Sequence, residues 1–195
     1  MIFNEKNIRE SFDNKGYKFF TDPYSINVFA VRMKTHTNNY DDFICQAYYD
    51  KKGAFTNVSF VGTTEPGLHW LKNPMRTDGC AIMVPGQYIQ VYKVGPHGST
   101  SYEACRQIGD IAVYRDNNRD HKHDLDSSTI QKGLFYTNIH HGWSSPLVGK
   151  NSAGCIVVQR KDYFEDYFMP IIKKSVEIYG NSFSFTLLEQ KDLKI

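Results

Sequence analysis

The sequence holds no apolar run near the roughly 18 residues that a membrane-crossing helix needs, so no transmembrane segment is expected. It has no block of lysines and arginines that would mark a nucleic-acid footprint, so nucleic acid is not an expected partner; the net charge of +2 argues neither way. The start, MIFNEKNIRESFDNKGYKFF, lacks the basic opening, apolar stretch and small-residue cleavage site of a signal peptide. Synthesis in the cytoplasm is the expectation, with any export by another route. The four cysteines (Cys45, Cys80, Cys105, Cys155) stand far apart without a CxxC pair, which argues against a disulfide scaffold in a chain of 195 residues. Repeats, low-complexity tracts and Gly/Pro/Ser-rich linkers are also missing, so 1–195 reads as one domain.

What is abundant is aromatic: 13 Tyr, 13 Phe and 2 Trp, a mix that packs well on pleated sheets. Strands are expected over 25–33, 42–50, 57–62, both arms of 80–95, 111–116, 133–141, 155–159 and 183–188. A short helix is expected over 5–15, with Ile8 and Phe12 four apart and Gly16 as its stop. A helical turn is read over 99–110. The longest helical pattern covers 162–180, with Pro170 as a kink or break and Gly180 as the stop. Residues 63–80 are turn-rich, and His69, Trp70 and Leu71 would anchor them as an ordered loop. The fold class is therefore mainly β and mostly antiparallel, with one substantial C-terminal helix and a short N-terminal one.

Chemistry concentrates in TNIHHGWSSPLVGKNSAGCIVV, residues 137–158. Cys155 can be a core thiol, a metal ligand or a nucleophile. A nucleophilic cysteine needs a nearby imidazole and backbone N–H groups facing the developing oxyanion. The strand ending in His140 and His141 supplies the first, and the small-residue turn Ser152, Ala153, Gly154 supplies the second. Side chains alternate along a strand, so only one of the two histidines faces a given site.

The pairing of NIHHG (138–142) with SAGC (152–155) resembles the signature of the L,D-transpeptidase catalytic domain of the YkuD type. The similarity is closest to a divergent branch found among phage and Bacteroidetes-type proteins. TTEPG, PGQY, GPHGSTSYEA, YRDNN and FSFTLLE also resemble that branch, so the resemblance runs over most of the chain while its specific motif spans about twenty residues. It implies an L,D-transpeptidase-like β-sandwich or open barrel. It also implies a Cys155 thioester formed on a peptidoglycan stem peptide and resolved by an amine or by water. His140 is then the base, in the Ile-His-x-Gly position. His141, directly before Gly142, is the runner-up. Backbone amides of Ala153, Gly154 and Cys155 would hold the oxyanion. Such an enzyme would reach the wall or periplasm by phage release or another export route.

Two positions depart from the family pattern. Ala153 replaces the usual histidine before the cysteine, and Ile156, Val157 and Val158 fill the place of the usual arginine after it. Arg115 could bind a substrate carboxylate instead, as a bidentate fork; its other reading is a surface ion pair. His97, in a Gly-flanked turn, and Tyr88, after Pro-Gly, are candidate cleft residues, and either can equally be structural. The alternatives are a non-catalytic binding or inhibitory module on the same fold, or a cysteine hydrolase of another amide or ester. No cofactor and no metal are expected. Asp116, Asn118, Asp120 and Asp124 alternate like a calcium loop, but glycine is missing at its sixth position and glutamate at its twelfth. A zinc site from Cys155, His97 and one of the paired histidines is the weaker metal reading.

Overall fold

The computed structural model of the protein describes residues 3–35, 38–98 and 102–193. In chain order the strands are β1 (Asn27–Arg32), β2 (Asp42–Tyr49), β3 (Phe55–Thr63), β4 (Cys80–Met83), β5 (Gly86–Pro96), β6 (Glu103–Gln107), β7 (Ile111–Asp116), β8 (Gln131–Gly133), β9 (Ile139–His141), β10 (Ile156–Val158) and β11 (Phe183–Glu189). Eight of them close into a barrel in the order β1-β11-β5-β6-β9-β10-β3-β2, and β4-β7-β8 form a small second sheet. Most pairings are antiparallel; β1 with β11 and β9 with β10 run parallel. The helices are α1 (Glu5–Asn14), α2 (Leu68–Lys72), α3 (Lys161–Tyr163) and α4 (Met169–Tyr179). The fold is thus mainly β, with the substantial C-terminal helix and the short N-terminal one. No helix among the described residues is long and apolar enough to cross a membrane.

The pattern NVFAVR explains why β1 is buried along its whole length. Its Val28 and Ala30 join Ile44, Phe60 and Leu187 in the main core. Its Phe29 and Val31 face the other way, onto Ile8 and Phe12 of α1. That helix starts where the Asn4 side chain accepts the Asn7 amide at 2.8 Å. Full burial of Ile8 and Phe12 contributes about 1.5–3 kcal/mol each. The main core also takes Phe164, Phe168, Met169 and Ile172 from the C-terminal helical stretch. In the 63–80 segment, Leu71 is fully buried and Trp70 Nε1 donates to the Lys150 carbonyl at 3.0 Å.

Three expectations need correction. The described part of 99–110 is not a helical turn: Glu103–Gln107 is β6, paired to β5 on one side and β9 on the other. Pairing at both edges overrides a local sequence that contains charged and helix-tolerant residues. The expected strand 133–141 is broken. β8 ends at Gly133, β9 begins at Ile139, and between them Tyr136 takes a φ of 59°. The Gln107 side chain holds this crossing by accepting the Phe135 and Thr137 amides at 3.1 and 3.0 Å. The expected helix over 162–180 is not one regular α-helix, and its irregularity lies just before Pro170. The chain widens into a π-type turn over Phe164–Phe168, in which the Met169 amide reaches the Phe164 carbonyl, and α4 continues with the proline in its first turn.

Candidate active site

Cys155 stands at the head of β10, behind a turn with little freedom. Ser152 is fully buried; its hydroxyl donates to the Cys155 carbonyl at 2.7 Å and accepts the Gly154 amide at 3.2 Å. Gly154 has a φ of 126°, and a Cβ there would lie 2.3 Å from the Ala81 carbonyl oxygen, so only glycine fits. The half-buried thiol faces a cleft of about 350 Å³. The start of β4, the crossing segment 134–138, His97 and Arg115 form its walls. The Cys155 Sγ lies 3.6 Å from the Tyr136 carbonyl. Burial pushes this thiol up to about 11, and the Asn138 amide acts in the opposite sense.

The parallel register of β9 and β10 separates the adjacent histidines. His140 pairs with Val157 and His141 with Val158. Val157 packs with Tyr40, Val148 and Cys155, whereas Val158 lies in the main core. His140 therefore shares the Cys155 side of the sheet. Extending the register by one residue sets Asn138 beside Cys155, in line with the 2.9 Å bond from the Ile156 amide to the Asn138 carbonyl. His140 is then on the diagonal, about 8 Å away between Cα atoms, within reach of a long side chain.

The His140 Nδ1 lies 2.9 Å from the His141 carbonyl. A carbonyl only accepts, so Nδ1 carries the hydrogen of the neutral ring and Nε2 keeps its lone pair. The ring stacks on His97, with centroids 4.3 Å apart. Burial, reinforced by His97, pushes His140 down to about 3, and burial also lowers His97. Among the described residues Sγ makes no hydrogen bond to an imidazole.

No family model matches the chain, and neither do any curated proteins or solved structures.

His141 lies one ring further along, with Tyr102 between it and His97. It is fully buried against Tyr102 and Trp143, each with its ring centroid 4.5 Å away. Its Nδ1 accepts the Trp143 amide at 3.3 Å, which puts the hydrogen on Nε2, 3.9 Å from Glu165 Oε1. Burial lowers its pKa, partly countered by Glu165. Tyr88 and Gly142 also stand apart from the cleft. The Tyr88 hydroxyl donates to the Val84 carbonyl at 2.6 Å. The Gly142 amide donates to Val158, and a Cβ there would meet the Tyr40 hydroxyl at 2.2 Å.

The structure thus gathers Cys155, Ala153, Gly154, His97 and Arg115 at one cleft, with His140 against His97. Arg115 is no free fork. It is 8% exposed, and a buried guanidinium needs its donors paired. Its Nε donates to Gln131 at 3.0 Å, Nη1 donates to the Gly79 carbonyl at 3.2 Å, and Nη2 lies 3.4 Å from Asp78. Gly154 is likewise a poor oxyanion donor, because Ser152 already takes its amide. Among the described residues the Ala153 and Cys155 amides make no hydrogen bond and are the better donors. Sequence reasoning missed the lip of the cleft, formed by Met75, Leu134 and Tyr136, which are exposed by 73%, 51% and 69%. Three apolar side chains left in water were the signal, and they are recognisable only once the crossing segment is known. Among the described residues, no group of three or more His, Cys, Asp or Glu is arranged to hold a metal, which leaves the zinc reading without support.

Proposed function

We propose that the protein is a cysteine-dependent acyl-transfer enzyme acting on peptide carbonyls, with peptidoglycan stem peptides as the substrate class indicated by the motif. One observation carries this reading: a thiol on a glycine-locked turn opens into a cleft beside a stacked imidazole pair. Sulfur attacks the substrate carbonyl carbon, and its proton passes to the free nitrogen of His140. The Ala153 and Cys155 amides receive the oxyanion. The C–N bond then breaks, the departing amine takes the proton, and a thioester remains. An amine acceptor gives a crosslink and water gives hydrolysis; either step restores the thiol.

The test is incubation of the purified chain with defined muropeptides, read by mass spectrometry. Turnover by the native protein and its loss in Cys155→Ala and His140→Gln are expected. Full activity in Cys155→Ala overturns the mechanism.

A second reading, a binding module on the same fold, draws on the raised thiol and the lowered His140, which leave the resting pair neutral. It predicts muropeptide binding that is equal in the native protein and Cys155→Ala, with no product from either.

A further inference from the structure

Beyond the cleft, the loop after β7 places Asp116, Asn118, Asp120 and Asp124 at the first, third, fifth and ninth positions of a calcium-type loop. The sixth position is His121, not glycine, yet it adopts a φ of 70°, the conformation for which such loops use glycine. The turn is closed by short-range bonds. Asn118 Oδ1 accepts the Asp120 amide at 3.1 Å, and Asp120 Oδ1 accepts the Lys122 amide at 2.9 Å. Those bonds describe a loop and not a ligand.

Asp116 supplies the independent indication. It is 1% exposed, and its Oδ1 has no hydrogen-bond partner among the described residues. The other oxygen of the same carboxyl accepts the Asp124 amide at 3.1 Å, so the group faces into the loop. A bare, buried carboxylate oxygen calls for a cation or a water. Burial pushes the Asp116 carboxyl up, and the charges of Asp124 and Asp120 add to this, while His123 opposes it.

The geometry points to a divalent-cation site of the calcium class, formed by the side chains of Asp116, Asn118, Asp120 and Asp124 and the Lys122 carbonyl. Among the described residues no three acidic side chains already converge on one point, so binding would draw Asp120 and Asn118 inward around Asp116 and Asp124. The donors are all oxygen and only partly charged, as a hard cation prefers. The site adjoins the cleft. Arg115 precedes Asp116, and the Cβ position of Gly79 lies 2.1 Å from the Asp116 carbonyl oxygen; both residues line the cleft. A bound cation would stiffen that wall.

The test uses the full chain stripped with a chelator, then titrated with calcium or magnesium while its melting temperature is followed. Calcium at 100-fold above Kd should raise Tm by roughly 5–10 °C. Asp116→Asn should weaken the apparent affinity at least about tenfold. Asp120 is exposed, so Asp120→Asn keeps the fold intact and should weaken binding as well. No shift up to about 10 mM calcium overturns the site and leaves a water on Oδ1. Shifts of equal size in both variants, or an equal response to magnesium, also overturn it.

Discussion

The Cys155 cleft and the cluster around Arg32 both bury ionisable groups and resolve their charge in opposite ways. At Arg32 the ionisable groups are densely bonded to one another and to the backbone. The guanidinium donates to Thr64 Oγ1 at 2.9 Å, to the Thr64 carbonyl at 3.0 Å and to the Met83 carbonyl at 2.9 Å, with Glu65 3.5 Å away. Asp42 accepts the Met33 and Thr64 amides and the Thr64 hydroxyl, each at 2.8 Å. This cluster ties β1 and the end of β3 to β4 of the small sheet. At the cleft the charges are suppressed: the thiol is raised, the imidazole is lowered, and among the described residues Sγ makes no hydrogen bond to a side chain. The groups that join elements are saturated with partners, whereas the Cys155 thiol and the His140 ring keep unused bonding capacity.

The largest expected effect breaks the saturated side. Arg32→Met leaves Asp42 and Glu65 buried without their cation and should cost about 3–5 kcal/mol. That corresponds to a drop in Tm of roughly 10 °C by calorimetry. Cys155→Ala, at the unsaturated side, should change stability by no more than about 1 kcal/mol. Equal losses in the two variants would dissolve the distinction.

That contrast was only half legible in the sequence. The apolar runs of β1 and β2, the i,i+4 pair of α1 and the small-residue turn before Cys155 are local patterns, and each formed as read. The divergence of His140 from His141 follows from strand alternation alone. What failed depended on distant partners. Arg115 is engaged by Asp78, Gly79 and Gln131, none of them adjacent in sequence. Residues 134–138 have strand-like composition, yet they are bent across the cleft by Gln107. The strand β6 exists because β5 and β9 flank it.

Thiol reactivity sharpens the comparison at an intermediate scale. With Cys155 pushed up to about 11, its thiolate fraction at neutral pH should be on the order of 100-fold below that of a free cysteine. Iodoacetamide labelling, followed by peptide mass mapping, should be slow at pH 7 and climb about tenfold per pH unit up to pH 9.5. Cys155 should react before Cys45, Cys80 and Cys105, which are fully enclosed or nearly so and raised further. Fast labelling that is flat from pH 6 to 8 would instead indicate a resting thiolate–imidazolium pair.

The smallest effect sets the two regions against each other directly. His140, held near 3, binds its proton more weakly in the folded chain than in the unfolded one. Its contribution is present above the unfolded value near 6.5 and is lost on acidification, about 2 kcal/mol between pH 7 and pH 5. Asp42, pushed up to about 6 chiefly by burial, binds its proton more tightly when folded. Its contribution grows as pH falls through 6, by about 1 kcal/mol over the same interval. The two partly offset, so urea denaturation of the native protein should show a decline of about 1 kcal/mol, with His97 and His141, both lowered, adding to it. Asp42→Asn removes the opposing gain and should steepen the decline by about 1 kcal/mol. His140→Gln should flatten it. If both variants keep the native slope, neither group titrates with folding, and the difference between the paired cluster and the neutral cleft does not extend to their protons.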